Sequence, residues 1–199
     1  KGTVYIVVES LYSMDGDMAP LKSIGILSQE FGAYLIVDEA HACGVFGSDG
    51  KGIVHGRSMQ DLVFCRIVTF GKAYGYHGAG ILCSNELKEY LVNYSRSFIY
   101  TTALPPEAYA SIIERVESTS IRKRQVMLHN NIAYLRDNVQ NCDFISEENS
   151  PIQVLVFDNK EKLFNLIDKL SKAGIYTKPI LPPTVPLNSF RIRLCIFVF

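Results

Sequence analysis

Two stretches of this 199-residue chain set reactive side chains at spacings that chemistry can use. In YLIVDEAHACG an apolar run ends in Asp38, and His41 follows three residues later. In VTFGKAYGYHGAG a second apolar run ends at Thr69, and Lys72 follows on a glycine-bounded turn. A lysine whose surroundings lower its amine pKa frees the nitrogen to form a Schiff base with an aldehyde. A carboxylate beside a pyridine nitrogen keeps that ring protonated, which makes it the better electron sink. Lys72 and Asp38 are therefore the expected amine and carboxylate for pyridoxal 5'-phosphate, reaching it from the ends of two strands.

The acidic motif alone leaves another chemistry open. VDEAH also resembles the magnesium-binding box of DEAH-type helicases, where the acids serve phosphoryl transfer. That use requires a G-x-x-x-x-G-K-[ST] loop. The nearest stretch, GSDGKG at 47–52, has the wrong spacing and no hydroxyl after its lysine. Charge points away from a strand-separating motor too: 20 basic and 20 acidic residues cancel, so no global field gathers phosphate backbones or anionic lipid.

Neither nucleic acid nor a membrane is an expected partner. The longest apolar run falls short of the roughly 18 to 20 residues a spanning helix needs, and the first residues carry no signal-peptide pattern. The five cysteines form no C-x-x-C pair and several lie in apolar runs, where cysteine behaves as a small hydrophobe. They read as reduced thiols, which suits the cytoplasm. No metal site is expected.

The elements that must hold these residues follow from periodicity. A continuous β-branched run at 4–8 reads as a strand buried on both faces of a parallel sheet. Proline-led helical spacing over 20–31 and a strand at 34–37 complete a β-α-β unit, which implies a parallel, helix-covered sheet. In such sheets ligands bind beyond the carboxyl ends of the strands, where Asp38 and Lys72 would lie. Further strands are expected at 62–69 and 79–83, a helix at 85–97, and one long helix from Pro105–Pro106 to about 139 with an exposed charged centre, SIRKRQ. The domain boundary is placed within that centre, giving 1–123 and 124–199. The second part should be a small α+β unit with strands at 152–157, 175–179 and 190–198, a helix at 160–173, and PILPPTVP as a rigid connector.

VESLYSMDGDMAPL, LIVDEAHACGVFGSDGKG, TFGKAYGYHGA, RSFIYTTALPP and PPTVPLNSFRIRLC, in that order, resemble successive landmarks of the α-oxoamine synthases over nearly the whole chain. The resemblance implies an α/β fold of the aspartate-aminotransferase type, a PLP-dependent transferase large domain in part, plus a small α+β C-terminal domain. It implies a homodimer with a shared active site, and decarboxylative condensation of an amino acid with an acyl-CoA. SFIYTTALPP and RIRLC are most similar to the branch that joins L-alanine to pimeloyl-CoA in biotin biosynthesis, releasing CoA and CO2. Glycine C-acetyltransferase chemistry is a second reading within the family.

By the same resemblance Lys72 is the Schiff-base lysine, which also removes the α-proton. Asp38 partners the pyridine nitrogen and His41 the phenolic oxygen. Thr69 and Thr101 contact the phosphate, Thr101 from the neighbouring subunit. Glu9 is an active-site acid, and Arg193 clamps the substrate carboxylate, a task for which an arginine fork is well shaped. Family members are much longer than this chain, so it is expected to be a piece without the N-terminal part.

Each assignment competes with a plainer one. Lys72 is otherwise a solvated loop lysine, Asp38 a turn former, His41 a satisfied buried histidine, and the two threonines satisfiers of backbone groups. Arg191 competes with Arg193, because residues two apart on a strand face one side. His77 carries no assigned role, and His55 and His129 read as surface. A non-catalytic interaction module on the same fold stays open, since a fold alone does not specify chemistry.

Overall fold

A computed structural model describes residues 2–139 and 142–198. The chain divides into two compact units: one runs through Ser10 and resumes over Ala19–Gln125, and the other comprises Leu11–Met18 and the residues from Val126 onward.

The first unit is built on a four-stranded sheet of order β1-β2-β3-β4, from β1 (Tyr5–Glu9), β2 (Tyr34–Asp38), β3 (Cys65–Thr69) and β4 (Ala79–Cys83). β1, β2 and β3 run parallel. Helix α1 (Leu21–Glu30) connects β1 to β2. Its Gly25 lies where a β-carbon would press on Leu62, so the helix packs tightly against the turn that leads into β3. Leu21, Leu35, Val37, Val54 and Val68 fill the core.

Two sequence expectations are corrected here. β4 pairs antiparallel with β3, because residues 70–78 contain no helix and a parallel crossover needs about a dozen residues or more. β1 is not buried on both faces: among the described residues it pairs only with β2, and Tyr5 and Val7 are 55% and 65% exposed.

The expected long helix is broken. Short α2 (Ile53–Gly56) lies in the glycine-rich loop, and after β4 come α3 (Asn85–Tyr94), α4 (Arg96–Ile99), α5 (Pro106–Val116) and α6 (Ile121–Asn138). Between α5 and α6 the Ser118 hydroxyl accepts the Ser120 N–H at 3.3 Å and meets the Ser120 hydroxyl at 2.8 Å. Serine side chains bound to nearby backbone in this way compete with helical hydrogen bonds.

In the second unit, β7 (Phe190–Cys195) lies between β5 (Ile152–Phe157) and β6 (Pro179–Ile180), all antiparallel, with α7 (Lys160–Lys172) burying Leu163. The strand expected at 175–179 shrinks to its last residue and Ile180, and that expected at 190–198 stops at Cys195. No helix among the described residues is long and apolar enough to cross a membrane.

Candidate functional site

Parallel pairing brings Glu9 beside Asp38, and Asp38 beside Ile67, two residues before Thr69. Glu9, Asp38 and Thr69 thus end three adjacent parallel strands. Backbone bonds from Ser10 N to the Asp38 carbonyl and from Glu39 N to the Ile67 carbonyl, both 2.8 Å, carry the ladder past the strand ends.

The Asp38 carboxylate accepts the Ala40 N–H at 2.8 Å, the turn-forming use open to any aspartate here. His41 is half-buried on the turn that follows, where the Ala42 and Cys43 N–H groups both reach the Glu39 carbonyl at 2.9 Å.

Lys72 is exposed on a compact loop. Phe70 N–H donates to the Gly78 carbonyl (2.9 Å), Tyr76 N–H to that of Phe70 (2.7 Å), and Gly75 N–H to that of Lys72 (2.9 Å). This loop is fastened to the one after β2. Gly44, at φ +82°, lies where a β-carbon would overlap that of Ala73, and the Tyr74 hydroxyl donates to the Gly50 carbonyl at 3.0 Å. Burial pushes the Tyr74 phenol up to about 12.

The Thr69 hydroxyl oxygen is buried without a hydrogen-bond partner. An unsatisfied buried polar group costs about 1–3 kcal/mol. Its place at a strand end suits an external acceptor such as a phosphate oxygen.

The remaining residues singled out from the sequence have these surroundings. Thr101 is exposed after α4, its hydroxyl donating to the Ser97 carbonyl at 2.7 Å. Arg191 and Arg193 belong to the second unit. Arg191 is 8% exposed and ion-paired with Asp15. The half-buried Arg193 donates through Nε to the Ser13 carbonyl (2.7 Å) and through Nη1 to Cys195 Sγ (2.9 Å). His77 is exposed.

Sequence reading missed a heavily bonded carboxylate next to Asp38. Glu39 is fully buried; its Oε1 accepts the N–H groups of Ile53 (2.6 Å) and Val54 (3.0 Å), and its Oε2 accepts Arg66 Nε (2.6 Å). Arg66 also donates to the Lys51 carbonyl at 2.7 Å. Cys43 lies nearby, its thiol raised to about 12 by burial and then by the Glu39 charge. A signal existed: an arginine inside the apolar run CRIVT needs a buried partner. Among the described residues no three His, Cys, Asp or Glu cluster as a metal site.

A family model described as aminotransferase class I and II matches residues 1–196. An 8-amino-7-oxononanoate synthase of Photobacterium profundum is 35% identical over 192 residues, which span 95% of this chain and 48% of that protein. Serine palmitoyltransferase of Sphingomonas wittichii superposes with a TM-score of 0.87 at 27% identity, over 99% of this chain and 50% of that one. A structure of SPT with a PLP internal aldimine superposes at 0.80, with 27% identity, over 96% of this chain and 49% of the other. The chain belongs to the class I and II aminotransferase family and spans about half the length of the relatives it matches.

Proposed function

We propose that this chain carries the lysine-bearing half of a cytoplasmic pyridoxal-phosphate enzyme that condenses an amino acid, L-alanine, with an acyl-CoA, pimeloyl-CoA, to give 8-amino-7-oxononanoate. Residues 1–123 are its share of the large domain and 124–199 its small domain. The observation that carries the reading is the orphaned Thr69 hydroxyl at the end of β3, three residues before Lys72 and one strand away from Asp38. The residues present fit the cofactor: a hydroxyl awaiting an acceptor, a carboxylate at a strand end, and an amine on a loop fastened at Ala73 and Tyr74.

When bound, pyridoxal phosphate supplies the electron sink for negative charge at the amino-acid α-carbon. Lys72 Nζ holds the cofactor and takes the α-proton. Asp38 keeps a proton on the pyridine nitrogen, and His41 orients the ring at its phenolic oxygen. Thr69 donates to the phosphate, and Thr101 does so from a neighbouring subunit in a homodimer. Arg193 takes the substrate carboxylate and Glu9 lies at the substrate. The similarity to proteins named 8-amino-7-oxononanoate synthase supports the alanine and pimeloyl-CoA choice.

Borohydride reduction of the chain mixed with pyridoxal phosphate tests the reading. It should leave a pyridoxyl group on Lys72, read by peptide mass, that is absent in Lys72→Ala. A folded chain that acquires no such group, or acquires it equally on several lysines, would overturn it.

A further inference from the structure

Cys65 and Cys83 face each other across the β3–β4 hairpin. The bond from Phe70 N–H to the Gly78 carbonyl, 2.9 Å, marks 70 and 78 as a hydrogen-bonded pair. Hydrogen-bonded and non-hydrogen-bonded pairs alternate along an antiparallel ladder. Following the register from 70 to 65 makes Cys65 and Cys83 a non-hydrogen-bonded pair. Such pairs hold their α-carbons about 4.5 Å apart with the side chains close on one face, within the range of about 4.4–6.8 Å that a disulfide spans.

The two thiols also sense each other: Cys65 is raised first by burial and then by the charge of Cys83. Cys65 is buried, whereas Cys83 is half-buried and followed by exposed Ser84, so solutes approach from the Cys83 side. Both are free thiols here.

We infer that Cys65 and Cys83 are a reversible redox site that closes to a disulfide across the base of the hairpin presenting Thr69 and Lys72. The co-reactant is a small disulfide of the glutathione class. The Cys83 thiolate attacks one of its sulfurs, forming a mixed disulfide and releasing one glutathione. The Cys65 thiolate then attacks the Cys83 sulfur and releases the second. Two protein thiols lose two electrons, glutathione disulfide gains them, and the two thiol protons end on the two glutathiones. Burial keeps Cys65 protonated, so the second step is the slow one. Disulfides inside cells are mostly transient and redox-sensing, which suits a pair reachable from one side. The inference holds whether or not Lys72 carries a cofactor.

The test is to treat the folded chain with glutathione disulfide, block remaining thiols and map peptides by mass. The chain should yield a peptide linking Cys65 to Cys83 that carries no glutathione, and dithiothreitol should restore both thiols. Replacing exposed Cys142 and Cys195 by serine should leave that link intact. Glutathione retained on Cys83, links only through Cys142 or Cys195, or no loss of thiols would each overturn the inference.

Discussion

Glu39, just past the end of β2, and Arg66, the second residue of the parallel neighbour β3, form an ion pair, and the pair takes its remaining hydrogen bonds from the segment between the strands. Glu39 sits between Asp38 and the turn bearing His41, and Arg66 is three residues before Thr69. One carboxylate therefore ties the end of β2 to the second residue of β3 and to the start of α2.

Removing one partner leaves the other charge buried, which typically costs about 3–5 kcal/mol. Glu39→Ala and Arg66→Leu should each destabilise by that order in urea titrations. The double variant Glu39→Leu, Arg66→Leu should lose clearly less than the two singles combined, because no charge is stranded. Additive losses would show that the pair is not energetically coupled.

Gly44 makes a second prediction. At φ +82° any side chain is strained, by about 1–3 kcal/mol, and here the new β-carbon also drives into Ala73 beside Lys72. Gly44→Ala should lower stability and the yield of borohydride-fixed pyridoxyl group on Lys72. Gly32→Ala, at φ +64° with open space around it, should show the stability loss alone. Equal trapping in both variants would mean that the Gly44 contact does not hold the lysine loop.

Much of this was legible before the structure. Strands at 34–37 and 79–83 and the first helix follow from apolar periodicity, as do the positions of Asp38 at the end of β2 and of Lys72 in the loop after β3. What the sequence hid was non-local. The alternation rule sees an apolar run at 4–8 but not that β1 lies at an edge. Helical spacing passes through Ser118 and Ser120 because their hydroxyl bonds are invisible to it. Glu39 stood beside two residues of evident chemistry, and only the fold shows Arg66 reaching it.

Alkaline pH provides a third prediction. Cys43 keeps its proton to about 12 in the folded chain, against an ordinary 9.0. Above 9.0 the unfolded thiol is lost as thiolate while the folded one stays protonated, so the unfolded state binds fewer protons. Stability from this group is intact below 9.0 and falls as pH rises toward about 12. Tyr74 adds the same sign between 10.0 and about 12. Urea midpoints across that window should decline more steeply in the native sequence than in Cys43→Ala. Parallel slopes would mean that the thiol titrates in the folded state as it does in the unfolded.

The Thr69 hydroxyl separates stability from binding. Thr69→Val keeps the shape of the side chain and deletes an oxygen that is buried and unpartnered. Without a ligand the variant should be more stable than the native chain, by about 1 kcal/mol, since the desolvated hydroxyl is gone. With pyridoxal phosphate it should bind more weakly, by roughly tenfold or more, because a hydrogen bond to a charged oxygen contributes about 1.5–3 kcal/mol. Thermal melts and a binding titration on the same samples read the two effects. A variant that loses stability without ligand would show that the hydroxyl has a partner inside the protein, and its role toward a phosphate would fall with it.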